Sequence, residues 1–190
     1  PPALPVRTNK NPPAGLCSKP TERYYKNATN EPMILMGYTE QQLILAEGVV
    51  RGWINGDDKT YYESAGKGAL EFSRTYATDV AAYLSEDAAE TYLQGSEVVY
   101  DSTLSTEQKI ERIAMQKYLP TFLQGGVWLP YYEALRTGYP DFRRASGVQL
   151  PYRWMYPQSE YNNNAANVQA ALDSQFGGGD KTTDKPWWLQ

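Results

Sequence analysis

The sequence predicts a mostly α fold in which tetratricopeptide-like helical hairpins are joined by long ordered loops. Three observations lead to this fold class. Apolar residues recur at helical spacing in several segments, strand-like alternation is scarce, and capping or glycine signals bound most of the periodic segments. The chain has 190 residues, of which 41% are hydrophobic and 21% charged, so it is long enough to bury a core.

The N-terminal part of the chain has a different composition from the rest. Residues 1–37 are rich in Pro, Asn, Thr and Lys, which predicts an extended, loop-rich segment. The single cysteine, Cys17, lies here, so the chain has no internal disulfide framework. Its context PPAGLC is similar to a lipoprotein cleavage box, but polar residues stand where an apolar signal core is needed. We interpret Cys17 as a buried or idle thiol.

A first helix is predicted over residues 39–54. Thr39 and Gln42 have the spacing of a capping box, in which each side chain satisfies a backbone amide of the first turn. Asn55-Gly56 is expected to end the helix, because glycine readily takes the left-handed conformation found after helices. The apolar face of this helix consists of Leu43, Ala46, Val50 and Trp53.

The second helix is predicted over residues 57–77 and completes a helical hairpin with the first. It begins at Asp57 or Asp58, whose negative charge suits a helix N-terminus. Gly66 and Gly68 cost about 1 kcal/mol each relative to alanine, and we expect them to permit the close approach of a neighbouring helix. One face of this helix, which mixes large with small residues, consists of Tyr62, Ala65, Ala69, Phe72 and Tyr76.

In the middle of the chain, the helical pattern is weak over residues 79–94 and stronger after Ser105. Residues 79–94 predict one or two short helices that end at Gly95. Ser105 and Gln108 then form a capping-box pattern that opens another helix. Pro120 is expected to kink or end that helix, because proline lacks the amide hydrogen and clashes with the preceding turn.

The last third alternates between helix and loop. A helix is predicted to resume at Gly126 and to stop at Gly138, and residues 139–161 are predicted to be irregular. A final helix over residues 164–176 ends at a run of three glycines, and an extended tail follows it. Helical hairpins of this kind need neighbours to bury both faces, which suggests further chain upstream or a partner domain.

Composition limits the possible functions. The chain has no histidine, which removes the commonest general base and zinc ligand, and we expect no metal or other cofactor. The net charge of −4 and the absence of a basic run give no electrostatic reason to bind nucleic acid. No stretch of about 20 apolar residues predicts a membrane-spanning helix. The 16 tyrosines and 5 tryptophans suit recognition of polar ligands, although a loop-rich core packed with tyrosine gives the same bias.

Several segments look like catalytic or ion-binding motifs but lack the neighbouring residues or elements that those motifs require. GGGDKTT lacks the Gly-Lys-Thr order and the preceding strand of a phosphate loop, and NGDDKTYYE lacks the ligand alternation of a calcium hand. Glu86, Asp87 and Glu90 are better interpreted as a solvated helix face than as an acid/base pair. We therefore do not expect an enzyme.

Four segments together resemble the SusD/RagB family of surface glycan-binding lipoproteins, in the order that the family has them. They cover about residues 38–190 and are YTEQQLILAEGVVRGW, IERIAMQKYLPTFLQGGVWLPYYEALRTGYPDF, RWMYPQSEYNNNAANVQAAL and GGGDKTTDKPWW. The resemblance implies a SusD-like helical domain of which residues 38–190 are the C-terminal part. The family's signal peptide, its lipid-bearing cysteine and its first helical repeats would lie upstream. Pro120 and Pro130 depart from the plain helix expected there.

The resemblance also implies a function and a location. A family member is anchored by lipid on the extracellular face of the outer membrane and covers a SusC-like TonB-dependent transporter. It binds an oligosaccharide, or in some members a peptide, and passes it inward without cleaving it. The alternatives left open are a peptide-binding member of the family, an intracellular helical-repeat scaffold and a glycoside hydrolase.

The segment at residues 151–164, PYRWMYPQSEYNNN, is the candidate ligand-binding stretch. Sugar rings stack their apolar faces on aromatic side chains, and their hydroxyls need donors and acceptors such as Arg and Asn. The alternative is a structural role, in which the box is scaffold and Asn162 to Asn164 cap the last helix. The candidate ligand contacts are Arg153, Trp154, Tyr156, Tyr161 and Asn163.

Overall fold

The structure, a computed structural model, describes residues 20–27 and 29–189. All regular elements among these residues are helices, which confirms the predicted mostly α class. The described residues fall into two units, one formed by residues between 20 and 141 and one by residues 142–189. The α-helices are α1 (Tyr38–Val50), α2 (Asp58–Tyr76), α3 (Thr78–Ala81), α4 (Ala88–Leu93), α5 (Thr106–Tyr118), α6 (Leu129–Thr137) and α7 (Gln158–Phe176). Three short 3₁₀ helices lie at Glu22–Tyr24, Leu119–Thr121 and Trp187–Leu189.

Helices α1 and α2 form the predicted hairpin, and glycine permits its close packing. A Cβ atom added at Gly68 would lie 2.7 Å from the ring of Tyr38 at the start of α1. One added at Gly66 would lie 2.8 Å from the side chain of Leu93 in α4. Both glycines therefore face neighbouring helices, and the prediction that they permit close approach is confirmed.

The start of α1 differs from the prediction. Gly37 is the N-cap residue and no side chain caps the helix, so the capping box of Thr39 and Gln42 is wrong. The Thr39 hydroxyl instead donates to the carbonyl of Ala65 in α2, at 3.3 Å. A hydrogen bond between the two helices has replaced the local one that the sequence pattern suggests.

The end of α1 also comes earlier than predicted. The helix ends at Val50, and Gly52 takes the left-handed conformation (φ +72°) that was expected of Gly56. Trp53 consequently lies beyond the helix and is 70% exposed, so its assignment to the apolar face of this helix was wrong. The guanidinium of Arg51 lies 5.4 Å from the centre of its ring.

The other boundaries in the first unit agree with the sequence to within three residues, the largest difference being the start of α6 at Leu129 instead of Gly126. Asp57 caps α2 by accepting a hydrogen bond from the Lys59 amide at 3.1 Å. Ser105 and Gln108 form the predicted reciprocal capping box of α5. Pro120 lies in a 3₁₀ turn after α5, and Gly138 ends α6 with φ +85°. Helices α3 and α4 are the short helices predicted within residues 79–94, and Pro130 falls in the first turn of α6, where proline is tolerated.

Two tyrosines belong to the buried core of the first unit beside its aliphatic residues. The rings of Tyr62 and Tyr100 stack with their centres 4.5 Å apart. The Tyr62 hydroxyl donates to the carbonyl of Val98 and the Tyr100 hydroxyl to the carboxylate of Asp58, each at 2.8 Å. At these two positions the tyrosine bias serves core packing. The buried cluster consists of Leu43, Ala46, Tyr62, Ala65, Leu93, Tyr100 and Ile113.

A buried carboxylate links three helices of the first unit. Glu47 on α1 is only 5% exposed and accepts hydrogen bonds from Arg51 (2.7 Å), Lys117 on α5 (3.1 Å) and Arg136 on α6 (2.5 and 2.7 Å). Burial by itself would raise the pKa of this carboxyl, but the hydrogen bonds from its three cationic partners outweigh burial. They lower the pKa to about 2. The ionised carboxylate thus holds α1, α5 and α6 together.

In the second unit the last helix begins six residues before the predicted start. Helix α7 runs from Gln158 with Pro157 as its N-cap residue, and Asn164 interrupts it with non-helical angles (φ −145°, ψ 30°). The predicted start therefore corresponds to a kink inside the helix. The asparagines do not cap it, because Asn163 donates to the carbonyl of Ser159 and the side chain of Asn164 accepts from Asn167. The end of the helix agrees with the prediction, with Gly177 at φ +68°.

Part of the N-terminal prediction can be compared with the structure. Between residues 20 and 37 the only regular element in the described part is the 3₁₀ turn Glu22–Tyr24. Residues 1–19, which include Cys17, lie outside the described residues, as do residues 28 and 190. The boundary at residue 37 stays a prediction.

Replacing Glu47 with glutamine should lower the free energy of unfolding by about 3 kcal/mol, because the three cations would lose their buried counter-charge. Urea unfolding followed by far-UV circular dichroism measures the change. The matched control is Glu63→Gln, which removes a surface pair with Lys59 at 3.7 Å and should cost about 0.5 kcal/mol. Equal losses in the two variants would contradict the assigned role of Glu47.

The same carboxylate predicts a pH dependence. Its pKa is about 2 in the folded chain against a reference value of 4.5, so its contribution to stability is complete above pH 4.5 and is lost as the pH falls toward 2. Between pH 6 and pH 3.5 the stability difference between wild type and Glu47→Gln should narrow by about 1.4 kcal/mol. Urea unfolding at the two pH values measures it, and a constant difference would show that Glu47 is not held ionised by its partners.

Candidate functional site

The candidate stretch at residues 151–164 is organised around the carboxylate of Asp180 in the C-terminal tail. Asp180 has a side chain only 7% exposed and accepts three hydrogen bonds. The donors are the guanidinium of Arg153, the backbone amide of Tyr156 at 2.9 Å and the hydroxyl of Tyr161 at 2.6 Å. Burial by itself would raise the pKa of the Asp180 carboxyl, but these bonds outweigh burial and lower it.

Further contacts hold the segment before α7 against the tail. The backbone amides of Tyr152 and Arg153 both donate to the carbonyl of Thr182, at 2.7 and 3.3 Å. The guanidinium of Arg153 also lies 4.4 Å from the ring centre of Phe176 at the end of α7. Arg153 therefore connects the loop, the helix and the tail of the second unit.

Two adjacent side chains project from this anchored loop. Trp154 and Met155 lie between the residues that bind Asp180, and they are 51% and 55% exposed. The backbone is fixed immediately before them at Arg153 and immediately after them at Tyr156. The fold thus presents an aromatic and a thioether side chain on a backbone with little freedom. We call Trp154 and Met155 the exposed tip.

The five candidate residues fall into two groups: three that bind Asp180 and two that are exposed. Arg153 and Tyr161 bind Asp180 through their side chains, and Tyr156 does so through its backbone. Trp154 is in the exposed tip, and Asn163 is exposed on the first half of α7. The first three have a structural role that is visible in their contacts. For all five residues, ligand contact stays a prediction.

Sequence reasoning did not identify Asp180 as the centre of this arrangement. The segment GGGDKTT suggested only an imperfect phosphate loop, and Asp180 is separated from Arg153 by 27 positions. The only sequence signal for Asp180 was that it lies in GGGDKTTDKPWW, the last of the four segments that resemble the family. That resemblance did not indicate which residues the carboxylate would bind.

The remaining candidate chemistry is sparse. Glu86, Asp87 and Glu90 are exposed, as expected of a solvated face. Among the described residues, no cluster of three or more acidic, cysteine or histidine side chains is arranged to hold a metal ion. None of the helices described is both long and apolar enough to cross a bilayer.

Comparison with known proteins identifies relatives of this chain. A family model described as starch-binding and associating with the outer membrane matches residues 9–157. An outer membrane protein of Bacteroides vulgatus, described as involved in nutrient binding, is 73% identical with a TM-score of 0.88, over 93% of this chain and 39% of its own. A SusD homologue of Bacteroides fragilis is 51% identical with a TM-score of 0.83, over 90% and 38%. A second SusD homologue of that species is 37% identical with a TM-score of 0.74, over 84% and 36%.

The chain therefore spans less than two fifths of the length of these three structures. A search of curated proteins gave no match.

Replacing Asp180 with asparagine should loosen the loop that carries the exposed tip, because the neutral amide makes weaker hydrogen bonds than the carboxylate. We expect hydrogen exchange at the Tyr156 amide to become about 10-fold faster, while exchange at Leu172 in α7 stays unchanged. The control is Asp184→Asn in the same tail, since Asp184 accepts a local bond from the Lys181 amide at 3.0 Å. Unchanged exchange at Tyr156 in Asp180→Asn would refute the anchoring role.

Proposed function

Because this chain belongs to the SusD-like family, which is described as starch-binding and associating with the outer membrane, we propose that it binds oligosaccharides at the cell surface without cleaving them. In this proposal a lipid anchor upstream holds the protein on the extracellular face. The bound oligosaccharide is delivered to a SusC-like TonB-dependent transporter. The family description and the nutrient-binding relative support the binding role.

The exposed tip is the observation in this chain that carries the proposal. An indole ring offers a flat apolar face on which the C–H face of a pyranose ring can stack. Trp154 is half exposed and follows directly after Arg153, which is anchored to the tail. A rigid presentation reduces the entropy that binding would otherwise cost. Asn163 adds an exposed amide of the kind that binds sugar hydroxyls.

The second candidate function is peptide binding by the same tip. Met155 is as exposed as Trp154, and a thioether beside an indole suits apolar peptide side chains as well as sugar rings. The two candidates share a surface and differ in the ligand. A common set of immobilised ligands can therefore separate them.

Replacing Trp154 with alanine should lower oligosaccharide affinity about 10-fold, because the stacking surface is lost. The ligand is first selected on an array of starch-, fructan- and chitin-derived oligosaccharides and of peptides, and its affinity is then measured by titration calorimetry. The control is Trp53→Ala, which removes another exposed tryptophan, in the first unit. A reducing-end assay with the retained oligosaccharide should detect no product.

Different outcomes would exclude different parts of the proposal. Retention of peptides alone would favour the second candidate, and product release would identify a hydrolase. Equal losses in the two tryptophan variants would contradict the assignment of the exposed tip.

A further inference from the structure

The first unit contains a cavity that involves none of the residues of the candidate stretch. It lies between α1, α2, α6, the turn after α5 and the segment that precedes α1. Its volume is about 490 Å³, and cavities that bind small molecules have volumes of roughly 300–1,000 Å³. Tyr38 and Phe122 line it and are more than half exposed, whereas Leu43 lines it and is fully buried. The cavity therefore opens to solvent and reaches the core of the unit.

The wall of the cavity is mostly apolar and contains several aromatic rings. These belong to Tyr24, Tyr38, Phe72, Tyr92 and Phe122. Apolar side chains are stabilised when they cover the body of an organic molecule, and the face of an aromatic ring also attracts a cation. The wall thus suits a ligand that has an apolar body, a positive charge or both.

Among the described residues, four charged side chains line the cavity, and three of them are paired. Lys117 and Glu133 form an ion pair at 3.5 Å, and Arg23 donates to Glu31 at 2.8 Å. The fourth is Glu40, whose carboxylate has no hydrogen bond or ion pair with any described residue. The cavity therefore has one negative charge that no described side chain neutralises.

The position of Glu40 on α1 explains why it lacks a local counter-ion. The residue is partly buried in the first turn of the helix. The residues three or four positions away in sequence are Met36, Gly37, Leu43 and Ile44, and none of them is charged. The N-terminus of a helix provides the equivalent of about half a positive charge, so it tolerates this carboxylate without fully neutralising it.

The charge and the wall together favour a cation with an apolar body. Glu40 would repel an anion, and a neutral molecule would leave its carboxylate without a counter-ion. A metal ion would leave the apolar wall uncovered, and no group of three acidic, cysteine or histidine side chains in the described part of the chain could hold one. An organic ammonium ion matches both the carboxylate and the wall.

We propose that this cavity is a binding site for a small organic cation, such as an arylalkylamine, with the carboxylate of Glu40 as its counter-ion. The ammonium group donates to the carboxylate, and the apolar body lies against the aromatic and aliphatic wall. The site is separate from the proposed oligosaccharide site, because all its lining residues belong to the first unit. The proposal therefore does not depend on oligosaccharide binding.

Two probes of similar size separate the contribution of charge from that of the apolar body. At pH 7 1-naphthylmethylamine is a cation, whereas 1-naphthylmethanol is neutral, and the affinity of each is measured by fluorescence titration. We expect the wild-type chain to bind the amine more tightly than the alcohol. Glu40→Gln should lower the affinity for the amine about 10-fold, because the charge-assisted hydrogen bond is lost, and should leave the affinity for the alcohol unchanged.

A second carboxylate variant controls for the change in net charge. Glu63→Gln removes one negative charge from α2 outside the cavity, at a side chain that pairs with Lys59 at 3.7 Å. It should leave the affinities for both probes unchanged. Equal losses of amine affinity in Glu40→Gln and Glu63→Gln, or a wild-type chain that binds the alcohol as tightly as the amine, would overturn the assignment of Glu40.

Filling the cavity tests where the amine binds. Ala69 lines the cavity, so Ala69→Phe should abolish binding of the amine, whereas Ala166→Phe, at an exposed position of α7, should leave it unchanged. Far-UV circular dichroism verifies folding, and Ala69→Leu replaces the larger substitution if that variant does not fold. The proposal is overturned if the wild-type chain does not bind the amine, or if a folded variant at position 69 binds it as well as wild type does.

Discussion

The first unit depends on a carboxylate that is removed from water and surrounded by three cations from different segments. Glu47 is buried on α1, and its partners are Arg51 directly after α1, Lys117 on α5 and Arg136 on α6. A buried carboxylate is tolerated only when charge and hydrogen bonds compensate its lost hydration. The positions of Lys117 and Arg136 are therefore coupled to that of Glu47, and so is the packing of the helices that carry them.

The second unit is also held together by a buried carboxylate, but the groups that donate hydrogen bonds to it are different. Asp180 replaces lost hydration with a guanidinium, a backbone amide and a phenolic hydroxyl, and these join the loop, α7 and the tail. In both units a single acidic side chain gathers groups that are far apart in sequence. The residues of the candidate stretch therefore have two different roles. Arg153, Tyr156 and Tyr161 have groups engaged in the scaffold, while Trp154 and Met155 remain exposed between them.

The exposed tip is consistent with the binding role of the family. The chain belongs to a family of binding proteins associated with the outer membrane, and it spans less than two fifths of the length of its solved relatives. Binding by the exposed tip needs only a rigid loop and an accessible ring, both of which lie in the second unit.

The sequence by itself determined the features that depend on neighbouring residues: the mostly α class, the Ser105–Gln108 capping box, the turn at Pro120 and the end of α6 at Gly138. Each follows from steric or hydrogen-bonding preferences within about four residues. Only the tertiary structure decided the pairings across the chain. Thr39 binds a carbonyl 26 positions away in place of its own helix terminus, and Asp180 and Glu47 reach partners 27 and 89 positions away. Such pairs depend on how the helices pack, and a local pattern contains no information about the distance between segments that meet only after folding.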